Sequence, residues 1–400
     1  MLDAYIYAGL RTPIARHAGA LASVRPDDLA AALIRELVAR SGFKPDQIED
    51  VILGCTCQAG EDSRNVARHA ALLAGLPPTV PGQTVNRLCG SGLAAVLDSA
   101  RAVSCGEGEL YLAGGVESMS RAPFAMAKSE TPFSRDFRVF DTSIGARFPN
   151  PRLTEAWGNH SMPETADNVA AELGISRAES DRFAAASQAR YAAAKADGFH
   201  AGEILPIAVP TGRKTPPAMV FEDEHPRPDS SFETLSALRP LFPGGVVTAG
   251  NASGINDGAA ALLIGSAAAG ERAGVKPLAR ILAGAVSGVE PRIMGIGPAL
   301  AIPRALARAR LSLADMDVIE INEAFAPQVL GCLRLLGLAA DDPRVNPNGG
   351  AIAIGHPLGA SGARLALSTA RELQRRKGRH AVLSLCIGVG QGIALVLECS

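Results

Sequence analysis

Apolar residues along the first third of the chain recur at strand spacing and at helical spacing in turn, and this alternation predicts the elements. Leu29, Leu33 and Leu37 share one face of a predicted helix at residues 26–40, which Gly42 ends. Short apolar runs predict strands at 5–8, 51–53 and 110–113, and a second helix is predicted at 65–74. This order of strands and helices is typical of an α/β fold.

The second half of the chain repeats the order, which indicates two similar halves. The repeat predicts strands at 278–282 and 318–321 and helices at 298–310 and 324–336. Val345-Asn346 then follows as Val85-Asn86 does in the first half. Ser361-Gly362 is predicted to open a helix as Ser91-Gly92 does. Glycines divide the apolar stretch 381–397, which predicts two buried strands joined by a turn rather than a membrane helix.

The two halves differ in two places. An extra loop at 349–359 brings His356 to a helix start where the first half has Cys89. The last strand of the first half, at 258–264, follows only after a long interruption, so residues 121–250 are predicted to be an insertion. Its helical run, with a capping box at residues 176–179, favours a folded lid or binding domain over a disordered linker.

Composition narrows the class of protein. The 400 residues are 47% hydrophobic but only 4% aromatic, with 42 glycines, which suits layered α/β packing better than a β-sandwich. The net charge of −1 gives no basic footprint for nucleic acid or for an anionic membrane. Seven cysteines without paired or zinc-like spacing predict a reduced, cytoplasmic protein without a metal site.

Cys89 is the first candidate for chemistry, because it lies where irregular backbone is predicted to become a helix. Free N–H groups and the positive end of the helix dipole stabilise an anion there, which predicts a thiolate nucleophile. The alternative is a small buried cysteine among glycines that permit close packing.

Three further residues are candidates because the repeat brings strand ends and helix starts toward one crevice. His356 lies between a glycine and a proline, which holds its backbone in a restricted turn. Asn322 follows a predicted strand, and Cys386 ends one beside several glycines. One thiol can attack a carbonyl, the imidazole can take its proton, and the other thiol can move a proton at carbon. Each residue alone also fits a structural role.

At these residues the chain resembles the thiolase family, and the resemblance covers essentially the whole length. The matching stretches are Asn86-Arg87-Leu88-Cys89-Gly90-Ser91-Gly92, Gly114-Gly115-Val116-Glu117-Ser118-Met119-Ser120, Thr248-Ala249-Gly250-Asn251-Ala252-Ser253-Gly254, Asn322-Glu323-Ala324-Phe325, Asn348-Gly349-Gly350, Gly355-His356-Pro357-Leu358-Gly359 and Cys386-Ile387-Gly388-Val389-Gly390. The resemblance implies the thiolase fold, in which two βαβαβαββ halves pack in five αβαβα layers. It implies an N-terminal half at 1–121 plus 251–275, an inserted coenzyme A-binding loop domain at 122–250, and a C-terminal half at 276–400.

The resemblance also implies roles for individual residues. Cys89 would carry the acyl group, His356 would activate Cys89, and Cys386 would be the acid and base at the substrate carbon. Asn322 would hold a water that forms one oxyanion hole with His356, and the backbone N–H groups of Cys89 and Gly388 would form the other. Contacts to coenzyme A or the acyl group would come from Leu153, Met162, Arg227, Phe242, Ser253, Ala324, Phe325 and Met294. Coenzyme A would be a co-substrate, no cofactor or metal would be bound permanently, and the protein would be a homodimer or homotetramer.

Two stretches of the predicted loop domain, 141–148 and 161–166, resemble those of thiolases that cleave 3-oxoadipyl-CoA to succinyl-CoA and acetyl-CoA in aromatic-compound degradation. Ala146 stands where those relatives usually have an aromatic residue. Ser161, not His, precedes Met162, which makes biosynthetic acetoacetyl-CoA formation a weaker fit than degradation. Arg147 is a candidate for binding the substrate's carboxylate, with pairing to Asp141 as its alternative.

Other functions fit the sequence less well. Within the family, the alternatives are a general 3-ketoacyl-CoA thiolase and an acetyl-CoA C-acetyltransferase. A non-catalytic acyl-CoA carrier would not need Cys89, His356 and Cys386 together. A decarboxylating ketoacyl synthase pairs one cysteine with two histidines or with histidine and asparagine, so Cys386 argues against it.

Overall fold

The computed structural model of the chain describes residues 1–135, 137–212 and 215–399. Positions 136, 213 and 214 of the predicted loop domain and Ser400 of the predicted C-terminal half lie outside them. The strands are β1 Ala4–Arg11, β2 Ala15–Arg16, β3 Asp50–Gly54, β4 Gly82–Val85, β5 Leu110–Ser118, β6 Phe124–Met126, β7 Val139–Asp141, β8 Ile207–Val209, β9 Ala218–Val220, β10 Asn256–Gly265, β11 Ala279–Gly288, β12 Val318–Ile321, β13 His380–Ile387 and β14 Gln391–Cys399. The helices are α1 Pro26–Ser41, α2 Val66–Ala74, α3 Ser91–Cys105, α4 Pro151–Trp157, α5 Met162–Leu173, α6 Arg177–Ala196, α7 Phe232–Ser236, α8 Ala267–Ala273, α9 Gly297–Ala309, α10 Ala326–Leu336, α11 Ala351–Ile354 and α12 Leu358–Arg376.

Each predicted strand and helix of the two halves is present, and several are longer than predicted. Helix α1 ends at Gly42, whose φ of 82° is the left-handed conformation that favours glycine. The stretch predicted as two strands joined by a turn forms the antiparallel pair β13 and β14. One prediction was wrong: Ser361 does not open its helix, because α12 begins at Leu358 after Pro357.

The strands of each half lie in the same order within the main sheet. The first half contributes β1-β10-β5-β3-β4 and the second contributes β11-β14-β13-β12. In both halves the inner pairs are antiparallel and the outer pairs are parallel, with β5–β3 and β3–β4 in the first half and β13–β12 in the second. The short segment at Val345 adds to β12 through a single bridge, in the place that β4 takes in the first half.

Three apolar cores hold five layers of helices and strands together. One core joins helices α1 and α2 to the first half of the sheet, and another joins α9 and α10 to the second half. The central core holds α3 and α12 between the two halves of the sheet. These helices touch backbone to backbone, since a Cβ at Gly362 would lie 2.2 Å from the amide nitrogen of Leu93. The strands of the two halves join directly where β1 pairs with β11.

The inserted segment folds as helices α4–α7 and two small hairpins. Arg11, at the end of β1, fixes part of it to the core. Its guanidinium pairs with Glu203 and Asp223, and all three side chains are fully buried. Helix α5 packs against α10 and against residues 291–296, which places its first turn beside the second half. No helix in the described parts of the chain is long and apolar enough to cross a bilayer.

Candidate active site

Cys89 lies on a tight turn two residues before helix α3. Leu88 has a φ of 46°, and the turn is closed by Ser91. The Ser91 hydroxyl accepts from the backbone N–H of Arg87 at 2.9 Å and donates to the carbonyl of Leu88 at 2.6 Å. Because this turn is hydrogen-bonded on both sides, the direction of the Cys89 side chain is fixed before any ligand binds.

The sulfur of Cys89 receives hydrogen bonds from the backbone N–H groups of Cys89 and Gly388, both of which lower its pKa. Burial has the larger and opposite effect, and it raises the pKa of Cys89 to about 11. The predicted resting thiolate is therefore wrong. Two N–H dipoles do not offset the loss of water around the sulfur, so the free protein holds a thiol that needs a base.

Cys386, near the end of β13, is only 1% exposed and lies in an apolar cluster with Met294, Ala324 and Phe325. Burial is the largest cause that raises its pKa well above the usual value, and the neighbouring Cys89 raises it further. The two thiols therefore lie close enough to oppose each other's ionisation. Cys386 is a thiol at neutral pH and can donate a proton.

His356 is buried and neutral. Burial, and then the charge of Arg364, lower its pKa to about 3. Its Nδ1 lies 2.6 Å from Oγ of Ser361, and its backbone N–H donates to Asn256 at 2.8 Å. The preceding Gly355 has a φ of 108°, and a Cβ there would lie 2.6 Å from the Asn256 amide carbon. A neutral imidazole with one free nitrogen can accept a proton.

Asn322 lies beside this imidazole at the end of β12. Its Nδ2 is 3.4 Å from Nε2 of His356, and its backbone N–H donates to Ser384 at 2.9 Å. Oδ1 of Asn322 is buried and has no hydrogen-bond partner among the described residues. A buried carbonyl oxygen in this position can accept from a small donor such as water.

Sequence reasoning missed two buried carboxylates that hold the loops of the site. Glu117 accepts from the backbone of Thr56, Cys57 and Gly359, and so joins the first half to the first turn of α12 after His356. Glu323 accepts from Ser187, Asn346 and the N–H of Ile352, and so joins β12 to the inserted segment. Both lie within the quoted family motifs, but no local signal shows which amides they accept from.

The residues predicted to contact coenzyme A fall into two groups. Ser253, Ala324 and Phe325 lie together, since the N–H of Ser253 donates to the carbonyl of Ala324 at 2.9 Å and Ala252 pairs with Phe325. Met162 starts α5, and its sulfur is 3.7 Å from where a Cβ of Gly388 would lie. Met162, Met294, Ala324 and Phe325 line the same apolar cluster as Cys386, and Ser253 lies next to it.

The second group lies at the surface. Leu153 and Phe242 are 48% and 36% exposed, and no described contact brings them to the cluster around Cys386. Arg227 is also exposed, and its guanidinium donates to the carbonyl of Ala249 at 3.3 Å. The guanidinium has no carboxylate partner among the described residues, so it is available to bind an anion.

Arg147 is half-buried in the loop after β7. Its guanidinium donates to the carbonyl of Thr142, and its Nε is buried without a partner among the described residues. The predicted alternative was an ion pair between Arg147 and Asp141. The Asp141 carboxylate instead accepts a hydrogen bond from the backbone N–H of Ser143, and the charge of Arg147 lowers its pKa only from longer range. No described contact places Arg147 against Cys89 or Cys386.

The site therefore brings together the thiol of Cys89, the thiol of Cys386 and a pair of N–H donors, with the neutral imidazole of His356 beside Asn322 at the end of the neighbouring strand β12. Such a set can form a thioester on one sulfur while the other moves a proton at carbon.

Comparisons with known proteins identify the family of the chain. Family models described as "Thiolase, N-terminal domain" and "Thiolase, C-terminal domain" match residues 4–268 and 275–399. A 3-oxoadipyl-CoA/3-oxo-5,6-dehydrosuberyl-CoA thiolase of Escherichia coli is 58% identical, and a beta-ketoadipyl-CoA thiolase of Acinetobacter baylyi is 55% identical, with 100% of each chain covered. Human mitochondrial 3-ketoacyl-CoA thiolase in complex with CoA has a TM-score of 0.91 at 40% identity, with 100% of this chain and 98% of that chain covered. The chain belongs to the thiolase family of acyltransferases.

Proposed function

We propose that the protein cleaves 3-oxoadipyl-CoA with coenzyme A to give succinyl-CoA and acetyl-CoA. The observation that carries the chemistry is that Cys89 and Cys386 lie close together, with neutral His356 beside Asn322 at the end of β12, the strand that pairs with β13 of Cys386. The substrate follows from the full-length relatives, whose printed names specify 3-oxoadipyl-CoA or beta-ketoadipyl-CoA.

The first half-reaction begins when Cys89 gives its proton to His356 and its sulfur attacks the 3-oxo carbon. The bond between C2 and C3 then breaks, and its electron pair passes to C2 of the departing acetyl-CoA. Cys386 donates its proton to that carbon. Acetyl-CoA leaves, and succinyl-Cys89, protonated His356 and the thiolate of Cys386 remain.

The second half-reaction restores the three groups. Coenzyme A gives its thiol proton to Cys386, and its sulfur attacks the carbonyl of succinyl-Cys89. The Cys89 sulfur leaves and takes the proton from His356, so succinyl-CoA is released and no proton is gained or lost. Protonated His356 is short-lived in this scheme because burial and Arg364 disfavour its charge.

Two sets of donors stabilise the developing oxyanions. The N–H groups of Cys89 and Gly388 already converge on the Cys89 sulfur, where a thioester carbonyl oxygen would lie close to both. The other set is protonated His356 with a water held by Oδ1 of Asn322.

Coenzyme A binds along the inserted domain. Met162, Met294, Ala324 and Phe325 surround the pantetheine end and the acyl group, with Ser253 beside them. Leu153 and Phe242 supply exposed apolar surface on the approach, and Arg227 meets a phosphate.

The substrate assignment predicts a preference for an acyl chain that ends in a carboxylate. The value of kcat/KM for 3-oxoadipyl-CoA is expected to exceed that for 3-oxohexanoyl-CoA, which has the same length but no charge, by about 10- to 100-fold. A preference for 3-oxohexanoyl-CoA would contradict the assignment and indicate a general 3-ketoacyl-CoA thiolase.

Arg147 is the proposed partner of that carboxylate, because its buried Nε lacks a partner among the described residues. In this scheme, Arg147→Gln reduces the preference for 3-oxoadipyl-CoA with little change for 3-oxohexanoyl-CoA. The matched control is Arg152→Gln, which changes an exposed arginine on the neighbouring α4. If both variants keep the preference, another residue binds the carboxylate.

A further inference from the structure

The hydroxyl of Ser361 lies between two partners. Its Oγ is 2.6 Å from Nδ1 of His356 and 2.8 Å from the carbonyl oxygen of Pro357. A hydroxyl has one proton to donate, and a carbonyl oxygen can only accept. When the Ser361 proton goes to the Pro357 carbonyl, which also accepts the backbone N–H of Ser361 at 2.9 Å, Nδ1 carries a proton of its own and completes the second hydrogen bond.

The first half of the chain contains the same arrangement around Ser91. There the group that faces the serine oxygen is a backbone N–H, which can only donate. Ser91, the repeat equivalent of Ser361, donates to the carbonyl of Leu88 and accepts from the backbone N–H of Arg87. A backbone N–H has no acceptor role, so Ser91 can only accept from it. The second half places an imidazole where the first half has this N–H.

The contact at Nε2, the other ring nitrogen of His356, is consistent with a proton on Nδ1. Nδ2 of Asn322, which carries only hydrogen-bond donors, is 3.4 Å from Nε2 of His356. A donor beside Nε2 favours the form in which that nitrogen has a free lone pair. Ser361 and Asn322 thus act on opposite nitrogens of the ring and select the same tautomer.

We propose that Ser361 is a positioning residue that holds the proton of neutral His356 on Nδ1, so that Nε2 is free to take the proton of Cys89. The consequence for the reaction rests on the base role proposed above for His356, whereas the tautomer itself does not. Ser361 is fully buried in the first turn of α12, so the hydroxyl cannot be replaced by bulk water.

Nitrogen-15 NMR of the full-length protein labelled at histidine side chains tests the tautomer directly. The His356 signals, assigned by their loss in His356→Asn, are expected to show a protonated Nδ1 and an unprotonated Nε2 at neutral pH. In Ser361→Ala the two tautomers are expected to mix. A wild-type spectrum with the proton on Nε2, or an unchanged tautomer in Ser361→Ala, would overturn the proposal.

A kinetic experiment measures the rate of acetyl transfer from acetyl-CoA to the enzyme. Ser361→Ala is expected to slow this step about tenfold, the scale of one hydrogen bond, with little change in KM. The matched control is Thr369→Val, which removes a buried hydroxyl of the same helix that has no partner among the described residues. If Ser361→Ala changes the tautomer but not the rate, Ser361 does position the His356 proton. That result would instead contradict the role of His356 as the base. Equal slowing in both variants would mean that Ser361 acts only through packing.

Discussion

Replacing Cys386 with Ala is expected to slow carbon–carbon cleavage about a hundredfold or more, the scale of a lost general acid. The same variant should still transfer acetyl from acetyl-CoA to Cys89, because coenzyme A can leave in that step as a stable thiolate without the proton of Cys386, whereas the carbon released on cleavage needs one. Cys386 can act as the acid because burial and Cys89 keep it protonated in the free enzyme. The two half-reactions should therefore respond very differently to one substitution.

Separate rapid-mixing measurements of acetyl transfer and of 3-oxoacyl-CoA cleavage would resolve the two effects. Cys332→Ala is the matched control, since Cys332 is another fully buried thiol near Cys386, and it donates to the carbonyl of Gly295. We expect this control to keep both rates. Equal loss of both half-reactions in Cys386→Ala would show that Cys386 has a packing role instead.

Arg11→Ala is expected to lower the free energy of unfolding by about 3–5 kcal/mol, because it removes the guanidinium that pairs directly with two buried carboxylates. Arg11 donates to Glu203 at 2.6 Å and to both oxygens of Asp223 at 2.6 and 2.9 Å. Arg16→Ala is the matched control. It breaks a pair with the adjacent Glu224, but Arg16 is 61% exposed, so the expected loss is below about 1 kcal/mol.

The pH dependence of this loss has a definite sign. Arg11 holds the pKa of Glu203 below its usual range in the folded protein, so this pair stabilises the fold above the unfolded carboxyl pKa and less as the pH falls. Without Arg11, burial raises the pKa of Glu203 with His200 acting against it, and protonation then favours the folded variant. The difference from wild type should narrow as the pH falls toward about 4.3, the unfolded value. Denaturant titrations across this range would show it, and a loss no greater than that of Arg16→Ala would contradict the role of Arg11.

The spacing of apolar residues and the turn residues beside them were sufficient to predict most helices and strands of the fold. Residues 318–321 were predicted with the bounds that β12 has, and Gly42 marked the end of α1. The repeat indicated that Cys89 and His356 lie at corresponding helix starts. These predictions depend on spacing and on turn residues close to each element, which the chain shows directly.

Features that depend on distant partners could not be predicted. Nothing near β1 indicates that it pairs with β11, or that Arg11 meets carboxylates 192 and 212 residues away. The resting thiolate of Cys89 was predicted from the helix start, but its pKa follows mainly from burial. The contact of Ser361 with His356 depends on α12 beginning at Leu358, three residues earlier than predicted.

Formation of a covalent acyl group on Cys89 is the central claim, and mass spectrometry after incubation with acetyl-CoA tests it most directly. The account predicts that one acetyl group is added to the intact protein, that it maps to the peptide containing Cys89, and that added coenzyme A removes it. Cys89→Ala should remain unlabelled. An acetyl group on another peptide, or no label in the wild-type protein, would contradict the account.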